Sequence, residues 1–274
     1  MKITYQGVAG AYSHIAAKEI FPDSEYIACD TFEQAAKLVE DNNADYAVLP
    51  IQNSNAGRVD NMYKLLPNIK LKAVGEHFLR IRHQLIGLPS ASLEKISCAL
   101  SHPQALMQCS SFLQKNNIEA VTYIDTAKSC EEILKLGDTS KAAIASSLAA
   151  DIYNLKILSP NIENAENNTT RFVVWKKGST ETILNDYEII SLLLFKCPCQ
   201  ELSSILSVLK EHNIKLQRIE SYTVNSFTPC CFYIEINSVS SEQQHLEVIN
   251  KIKQYTNELT YLGTFKSEKE YFER

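Results

Sequence analysis

The chain has 274 residues, of which 45% are apolar and 22% charged, and its formal net charge is -5. This length exceeds that of a typical domain with a single hydrophobic core, so we expect two or three compact domains. The composition predicts little extended disorder. The negative charge argues against nucleic acid as a partner, because binding to phosphate backbones requires a clustered basic surface.

The amino-terminal residues lack the apolar core and cleavage site of a secretory leader, and the longest apolar run, Ile189 to Phe195, is too short to span a bilayer. We therefore expect a cytoplasmic protein with no membrane partner. None of the eight cysteines shows the two-residue spacing typical of zinc sites. The sequence also contains no Gly-rich phosphate-binding fingerprint, so it predicts no metal and no organic cofactor.

Strands and helices alternate from the amino terminus to Trp175. The predicted strands are Ile3–Tyr5, Ala47–Ile51, Lys72–Val74, Gln84–Gly87, Cys98–Ser101, Ala120–Ile124, Ala142–Ala145 and Arg171–Trp175. Helices are predicted at Tyr12–Ile20 and Thr31–Glu40, from Pro103 onward, and after Asp125 as a capping residue. Such alternation is typical of a parallel α/β sheet.

A polar stretch from Lys176 to Glu181 interrupts this pattern and predicts a linker. Beyond it, the predicted strands are Tyr187–Phe195, Lys215–Val224, Cys231–Ile236 and Leu259–Phe265. Amphipathic helices are predicted around Leu202–Leu209 and Leu246–Ile252. The order β-α-β-β-α-β indicates a ferredoxin-like unit.

Five local motifs, in chain order, resemble the prephenate dehydratase family. They are Gln6–His14, Pro50–Ser54, Ser101–Cys109, Ala142–Ser146 and Asn168–Phe172. The resemblance implies an α/β fold with a two-lobed catalytic domain at 1–178, similar to a periplasmic binding protein, with lobes of about 1–78 plus 160–178 and of 79–159. It also implies an amino-acid-sensing ACT domain of the ferredoxin-like type at 187–266.

The resemblance further implies a reaction that converts prephenate to phenylpyruvate, water and carbon dioxide. By the same resemblance, the expected catalytic residues are Thr170, Asn53, Ser101, Gln108 and Gln52, and the expected substrate-binding residues are Ser13, Ser54, Thr169, Arg171 and Ser146. Thr170 is expected at the departing hydroxyl of the substrate. Because an unperturbed threonine is a very poor acid, it would donate a hydrogen bond or relay a proton there.

Each of these residues also has a purely structural interpretation. Asn53 and Ser54 are ordinary turn residues, Ser101 can be a helix cap, and Arg171 can be a surface residue rather than a partner of a carboxylate. Gln52 stands where the family commonly has Glu, and Gln cannot ionise. We therefore expect an active enzyme whose rate shows no carboxylate titration from this position.

The ACT-type domain resembles modules that bind phenylalanine, and Glu220 and Ser221 retain the first half of the corresponding family motif. Phenylalanine is thus an expected effector, and a homodimer or homotetramer is the expected assembly. Two alternatives stay open on the sequence. The chain can be an arogenate dehydratase, whose substrate carries an amino group in place of the keto oxygen, or a non-catalytic sensor of a small acid.

Overall fold

The computed structural model describes residues 1–178, 189–223, 231–237 and 242–268. The strands are β1 Lys2–Gln6, β2 Glu25–Cys29, β3 Tyr46–Asn53, β4 Gly57–Arg58, β5 Lys72–Arg80, β6 Gln84–Gly87, β7 Cys98–Ser101, β8 Glu119–Thr122, β9 Lys141–Ala145, β10 Lys156–Ser159, β11 Thr169–Lys176, β12 Ile189–Lys196, β13 Leu216–Tyr222, β14 Cys231–Asn237 and β15 Glu258–Lys266. The α-helices are α1 Tyr12–Ile20, α2 Phe32–Glu40, α3 Asp60–Leu65, α4 Pro103–Gln108, α5 Ser110–Lys115, α6 Thr126–Leu136, α7 Ser147–Ile152, α8 Leu202–Glu211 and α9 Glu242–Lys253.

The first lobe is built on the parallel strands β2, β1 and β3. Ala16 of α1 packs with Ile3 on one face of this unit, and Val39 of α2 packs with Leu49 on the other. Beyond β3 the sheet turns antiparallel, in the order β3, β11, β5. The expectation of a parallel sheet is therefore wrong here. The reason is that β5 leads the chain toward the second lobe while β11 brings it back.

The second lobe has its own sheet, in the order β10, β6, β9, β7, β8. Its strands β7, β8 and β9 are parallel, whereas β6 and β10 are antiparallel to their neighbours. The helix predicted from Pro103 breaks at Cys109 into α4 and α5. The Asn164 side chain accepts from the Ser111 N–H at 3.0 Å and donates to the Met107 carbonyl at 3.2 Å, which satisfies backbone groups at the break.

The elements β12 to β15 with α8 and α9 have the predicted β-α-β-β-α-β order. Their sheet order, β13, β14, β12, β15, is that of a ferredoxin-like unit, so this expectation is confirmed together with the two-lobed α/β fold. Ser179–Glu181 of the expected linker, Tyr187 and Glu188 of one predicted strand and Val224 of another lie outside the described residues.

One parallel pairing joins the ferredoxin-like unit to the first lobe, because Gly263 of β15 lies beside Ala73 of β5. A Cβ atom at Gly263 would overlap the Ala73 backbone, so only glycine permits this approach. The first lobe and the ferredoxin-like unit therefore share one continuous sheet. No helix in the described ranges is both long and apolar enough to cross a membrane.

Candidate active site in the cleft between the lobes

A cleft of about 270 Å³ lies where the two lobes meet. Its lining comprises Gln6, Ala11, Tyr12, Ser13, Pro50, Asn53, Val59, Ile81, His83, His102, Gln104, Ala105, Gln108, Asp125, Thr126, Thr170 and Phe172. Gln6 and Asn53 end the neighbouring parallel strands β1 and β3, whose following connections go to opposite faces of the sheet. Such a switch point is where open α/β sheets bind their ligands.

Asn53 and Thr170 face each other across the β3–β11 ladder. The Asn53 Oδ1 accepts from the backbone N–H groups of Asn55 and Ala56, at 3.0 and 2.9 Å. This fixes the amide orientation, so the Nδ2 group donates to Thr170 Oγ1 at 3.0 Å and to Asn168 Oδ1 at 2.9 Å. Because Thr170 Oγ1 is an acceptor in this bond, its own proton is available to a ligand in the cleft.

The same chain of hydrogen bonds continues across the base of the cleft. The Asn168 Nδ2 donates to Gln108 Oε1 at 3.1 Å, and His83 Nε2 lies 2.9 Å from that same oxygen. Since Gln108 Oε1 can only accept, the His83 proton belongs on Nε2. The Tyr12 hydroxyl lies 2.8 Å from His83 Nδ1 and 2.9 Å from the Arg82 carbonyl, so its single proton is shared between these two acceptors. Residues of both lobes are thereby connected to Thr170.

Burial keeps the two titratable members of this chain uncharged. Burial lowers the pKa of His83, although Gln108 and Glu163 act in the opposite direction. Burial also raises the pKa of Tyr12 well above its ordinary value. At neutral pH these hydrogen-bonded side chains are therefore neutral donors and acceptors. They position Thr170 and bring no charge to the cleft.

The cleft offers a ligand many polar groups but little charge. None of the lining residues is Lys or Arg, and Asp125 is the one carboxylate among them. The Asp125 Oδ1 caps α6 by accepting from the N–H groups of Ala127 and Lys128 at 2.8 and 3.0 Å. Within the described ranges, no group of three or more His, Cys, Asp and Glu residues could hold a metal ion.

Four of the expected site residues line the cleft together: Ser13, Asn53, Gln108 and Thr170. Ser101, Gln52, Ser54, Thr169, Arg171 and Ser146 are not part of the lining. The Ser54 hydroxyl accepts from the Thr169 N–H at 3.0 Å and donates to the Asn167 carbonyl at 2.8 Å, which fastens the end of β3 to the segment before β11.

Ser101 is the last residue of β7, and Ser146 directly follows β9, in the second lobe. The buried Ser101 hydroxyl donates to the Ile144 carbonyl at 2.6 Å, and the cap of α4 is His102 instead. Ser146 caps α7 by accepting from the Ala149 N–H at 3.0 Å, and its hydroxyl donates to the Gly10 carbonyl at 2.6 Å. The structure thus gives both hydroxyls partners within the protein.

Arg171 points away from the cleft into a buried ionic cluster between two units of the fold. Its Nε atom lies 2.6 Å from Glu76 of β5, and its Nη1 atom lies 2.7 Å from Glu235 of β14. Burial acts against the charge, but the carboxylates of Glu235 and Glu76 outweigh it and raise the pKa of Arg171 above its ordinary value. Gln52 lies directly opposite Arg171 in the ladder, outside the cleft lining.

Glu220 and Ser221, the residues expected to bind an effector, lie on β13. Arg58 of β4 donates from Nη1 to the Ser221 carbonyl at 3.0 Å and lies 4.0 Å from the Glu220 carboxylate. The next residue, Val59, lines the cleft. This part of the ferredoxin-like unit is therefore one residue removed from the cleft wall.

Sequence reasoning did not single out His83, Asn168 and Tyr12 as members of the site. Tyr12 and Asn168 lie inside two of the family-like motifs, so the motifs already indicated that they could belong to the site. His83 is 2% exposed and directly precedes the buried strand β6. Its position directly before the predicted strand Gln84–Gly87 was the only hint in the sequence.

A cleft between two α/β lobes, lined mainly by neutral polar and apolar side chains and followed by a ferredoxin-like unit, defines a two-lobed α/β fold joined to a ferredoxin-like domain. The family model for prephenate dehydratase matches residues 3–180. The chain therefore belongs to the prephenate dehydratase family.

Curated relatives extend this similarity beyond the matched domain. A bifunctional chorismate mutase/prephenate dehydratase of Buchnera aphidicola is 34% identical over 97% of this chain and 71% of its own length. Arogenate dehydratase 3 of Arabidopsis thaliana is 33% identical over 97% and 67%. A bifunctional N-acyl-homoserine lactone acylase/prephenate dehydratase of Komagataeibacter europaeus is 31% identical over 96% and 95%.

Solved structures show the same architecture. A protein described as the quorum quenching acylase GqqA superposes with a TM-score of 0.90 at 30% identity, covering 100% of both chains. The prephenate dehydratase of Arthrobacter aurescens in complex with L-Phe superposes with a TM-score of 0.88 at 21% identity, covering 98% of this chain and 91% of that one. The second similarity is one of fold alone.

Proposed function

We propose that this chain is a prephenate dehydratase, which removes carbon dioxide and water from prephenate and leaves phenylpyruvate. The hydrogen bond from Asn53 to Thr170 carries the proposal, because Thr170 Oγ1 accepts this bond and keeps its own proton for a ligand in the cleft. Thr170 itself accepts only from Asn53 among the described residues. A ligand oxygen at this place would receive a directed hydrogen bond.

The chemistry requires little more than such a donor. The bond from the ring to its carboxylate breaks, and its electron pair completes the aromatic ring as carbon dioxide leaves. The bond from the opposite ring carbon to the hydroxyl breaks with its electron pair on oxygen, and this oxygen takes one proton to become water. Aromatisation drives the reaction, so the enzyme has to hold the dianion and stabilise the departing oxygen.

Thr170 supplies the hydrogen bond to the departing oxygen, and solvent supplies the net proton. A threonine hydroxyl is too weak an acid to give up its proton permanently. The bond that Thr170 accepts from Asn53 polarises its O–H group and strengthens it as a donor. A series of hydrogen bonds holds Asn53 in place: it runs from Asn53 to Asn168, Gln108, His83 and Tyr12.

The test follows phenylpyruvate by its absorbance in alkali with Thr170→Val, which keeps the shape of the side chain but removes the hydroxyl. We expect kcat to fall by roughly 10²–10⁴-fold, the usual contribution of a positioned proton donor, and Thr170→Ser to retain most activity. Thr122→Val is the matched control, since Thr122 is an exposed strand threonine outside the cleft lining. Full activity in Thr170→Val would contradict the assignment.

Arogenate is the second candidate substrate, and one observation favours it. Asp125 is the one carboxylate of the lining, and no lining Lys or Arg neutralises it. An ammonium group on the substrate would be attracted to this carboxylate, whereas a keto oxygen would not. Asp125→Asn preserves a capping residue for α6, so we expect it to lower kcat/KM for arogenate more than for prephenate if arogenate is the substrate.

Two further outcomes of the same assay are informative. Binding of prephenate without turnover would favour a non-catalytic sensor of a small acid. Hydrolysis of an N-acyl-homoserine lactone would extend to this chain the acylase activity ascribed to its relative. The cleft gives that activity no direct support, since no described hydrogen bond joins a lining Ser or Thr hydroxyl to a histidine or carboxylate.

We further propose that the ferredoxin-like unit is an ACT-type domain and that it carries an effector site. Its support is the contact of Arg58 with Glu220 and Ser221, one residue from the cleft wall. The effector proposed is phenylalanine, and a homodimer or homotetramer formed through this unit is the proposed assembly. Calorimetry with phenylalanine tests the first, and the absence of heat up to millimolar concentrations would remove it. Sedimentation equilibrium tests the second.

A further inference from the structure

The start of helix α1 presents unused hydrogen-bond donors to the cleft. Ala11, Tyr12 and Ser13 all belong to the cleft lining. Ala11 occupies the cap position and provides no side-chain acceptor. The N–H groups of His14 and Ile15 both reach the Ala11 carbonyl, whereas those of Tyr12 and Ser13 have no acceptor among the described residues. Two of the donors left over at every helix start are therefore free here.

The Ser13 side chain adds a third unused donor at the same place. Ser13 is only 8% exposed, and its hydroxyl makes no hydrogen bond in the part of the chain that the structure describes. The Ser13 Oγ atom is not among the fully buried polar atoms without a partner, so this hydroxyl opens onto the cleft. Its presence on the cleft wall points to a ligand that supplies the missing acceptor.

These donors suit a negatively charged group. The nine residues of α1 direct the positive end of the helix dipole toward the cleft. The cleft lining contains no Lys or Arg that could receive an anion instead. A carboxylate placed at this helix start would accept from Ser13 Oγ and from the two free N–H groups, all of them bonds strengthened by charge.

Only one of the two substrate carboxylates fits such a place. The ring carboxylate loses its charge as carbon dioxide departs, so donors bound to it would stabilise the ground state more than the transition state and slow the reaction. The side-chain carboxylate keeps its charge throughout. Donors bound to it cost nothing in the chemical step, because they stabilise the ground state and the transition state equally.

The order of the strands agrees with this choice. Thr170 lies on β11, Asn53 on β3, and α1 follows β1, in the sheet order β11, β3, β1. With neighbouring strands about 4.8 Å apart, Thr170 and the start of α1 are separated by roughly 10 Å. In the substrate, the departing hydroxyl and the side chain are on opposite ring carbons, so one molecule can reach both places.

We infer that the start of α1 is the subsite for the side-chain carboxylate of the substrate, held by the Ser13 hydroxyl and the N–H groups of Tyr12 and Ser13. This inference rests on the proposed function and adds the part of the substrate that the subsite recognises. Prephenate and arogenate share this carboxylate, and phenylpyruvate retains it. The subsite therefore binds substrate and product alike.

The test is Ser13→Ala, measured by steady-state kinetics with prephenate and by calorimetry with phenylpyruvate. Loss of one hydrogen bond to a charged group is expected to raise KM about tenfold, and the Kd of phenylpyruvate by a similar factor, while kcat changes less than about twofold. Ser147→Ala is the matched control, because Ser147 is an exposed serine in the first turn of α7, outside the cleft.

The experiment distinguishes failure of the inferred subsite from failure of the proposed function. A raised KM with an unchanged Kd for phenylpyruvate would place the ring carboxylate at α1 and overturn the inference, as would an unchanged KM. Wild-type protein that turns over neither prephenate nor arogenate would overturn the proposed function and the inference with it. If Ser13→Ala does not fold, Ser13→Cys keeps the size of the side chain with only a weak donor and is expected to raise KM in the same direction.

Discussion

Two backbone N–H groups determine the direction of every hydrogen bond that leads through the site to Thr170. Because Asn55 and Ala56 donate to Asn53 Oδ1, the Asn53 amide must donate on its other side. The same logic then passes to Asn168 and Gln108. The turn after β3 is thus part of the site, although it makes no contact with the chemistry.

This directionality predicts that Asn53→Asp inactivates the enzyme despite its identical shape. An aspartate can still accept from Asn55 and Ala56, but its second oxygen cannot donate to Thr170. It would attract the Thr170 proton away from the cleft. We expect kcat to fall by roughly 10²-fold or more, with the thermal unfolding midpoint measured alongside to show that the variant folds. A normal kcat in the Asn53→Asp variant would refute this role for the amide.

Gln52→Glu tests whether a carboxylate is missing from the chemistry. Gln52 lies opposite Arg171 on one side and opposite Arg58 on the other. A glutamate between two cationic neighbours is expected to stay ionised, and position 52 is outside the cleft lining. We therefore predict an unchanged dependence of kcat/KM on pH. A new acidic limb together with a much higher rate would show that the glutamine limits this enzyme.

The sequence could identify residues of the cleft but not the directions of their side chains. Thr170 and Asn53 belong to motifs, and both line the cleft; their roles stay predictions. Arg171 belongs to the same motif as Thr170, yet its guanidinium group binds Glu235, which lies in the ferredoxin-like unit. A partner so distant in the chain leaves no local pattern, and therefore only the fold shows where the arginine points.

At the level of elements, the ionic cluster around Arg171 joins three strands from two units. Glu76 lies on β5, Arg171 on β11 and Glu235 on β14. The Ser267 hydroxyl and the Glu268 N–H donate to Glu76, at 3.0 and 2.9 Å, and the Tyr233 hydroxyl donates to Glu235 at 2.9 Å. The cluster therefore fixes the strand that carries Thr170 against the ferredoxin-like unit.

Arg171→Met is expected to destabilise the protein strongly. It would leave the carboxylates of Glu76 and Glu235 buried without their cation, and breaking a buried pair in this way typically costs about 3–5 kcal/mol. Arg58→Met is the matched control, because the Arg58 side chain is 36% exposed and its ion pairs should contribute about 1 kcal/mol or less. Urea unfolding measures the free energy of unfolding of each variant. Equal losses in the two variants would contradict the larger contribution predicted for the buried Arg171 ion pairs.

Elements were easier to predict where local pattern decides them. The capped helix α6 begins after Asp125 as expected, because Asp125 accepts from two N–H groups of the first turn. The break at Cys109 and the antiparallel course of β11 were not predictable. Both depend on contacts across the cleft, the first on Asn164 and the second on the return of the chain from the second lobe.

Across the whole molecule, His77 joins segments that are far apart in the sequence. Its Nε2 atom lies 2.8 Å from Glu19 of α1, and its Nδ1 atom lies 3.5 Å from Glu268, just beyond β15. Burial acts to lower the pKa of His77, but the carboxylates of Glu268 and Glu19 outweigh it and raise the pKa above its ordinary value. In its protonated form the ring therefore connects the first lobe to the end of the ferredoxin-like unit by two ion pairs.

This contact should make the stability of the molecule depend on pH. Since the pKa of His77 is higher in the folded than in the unfolded protein, its contribution is fully present below the unfolded value of about 6.5 and is lost as the pH rises through the folded value. We expect His77→Gln to reduce the free energy of unfolding more at about pH 6 than at about pH 9. Urea unfolding at the two pH values measures the difference.

The partners of His77 provide the control for this prediction. In a Glu19→Gln, Glu268→Gln background, the carboxylates that raise the pKa of His77 are absent, so His77→Gln should have nearly the same effect at both pH values. If the dependence on pH persists in that background, another group causes it. If it disappears, His77 alone accounts for the dependence on pH. Its ion pairs then link α1, whose first turn lines the cleft, to the ferredoxin-like unit, and this link weakens as the pH rises.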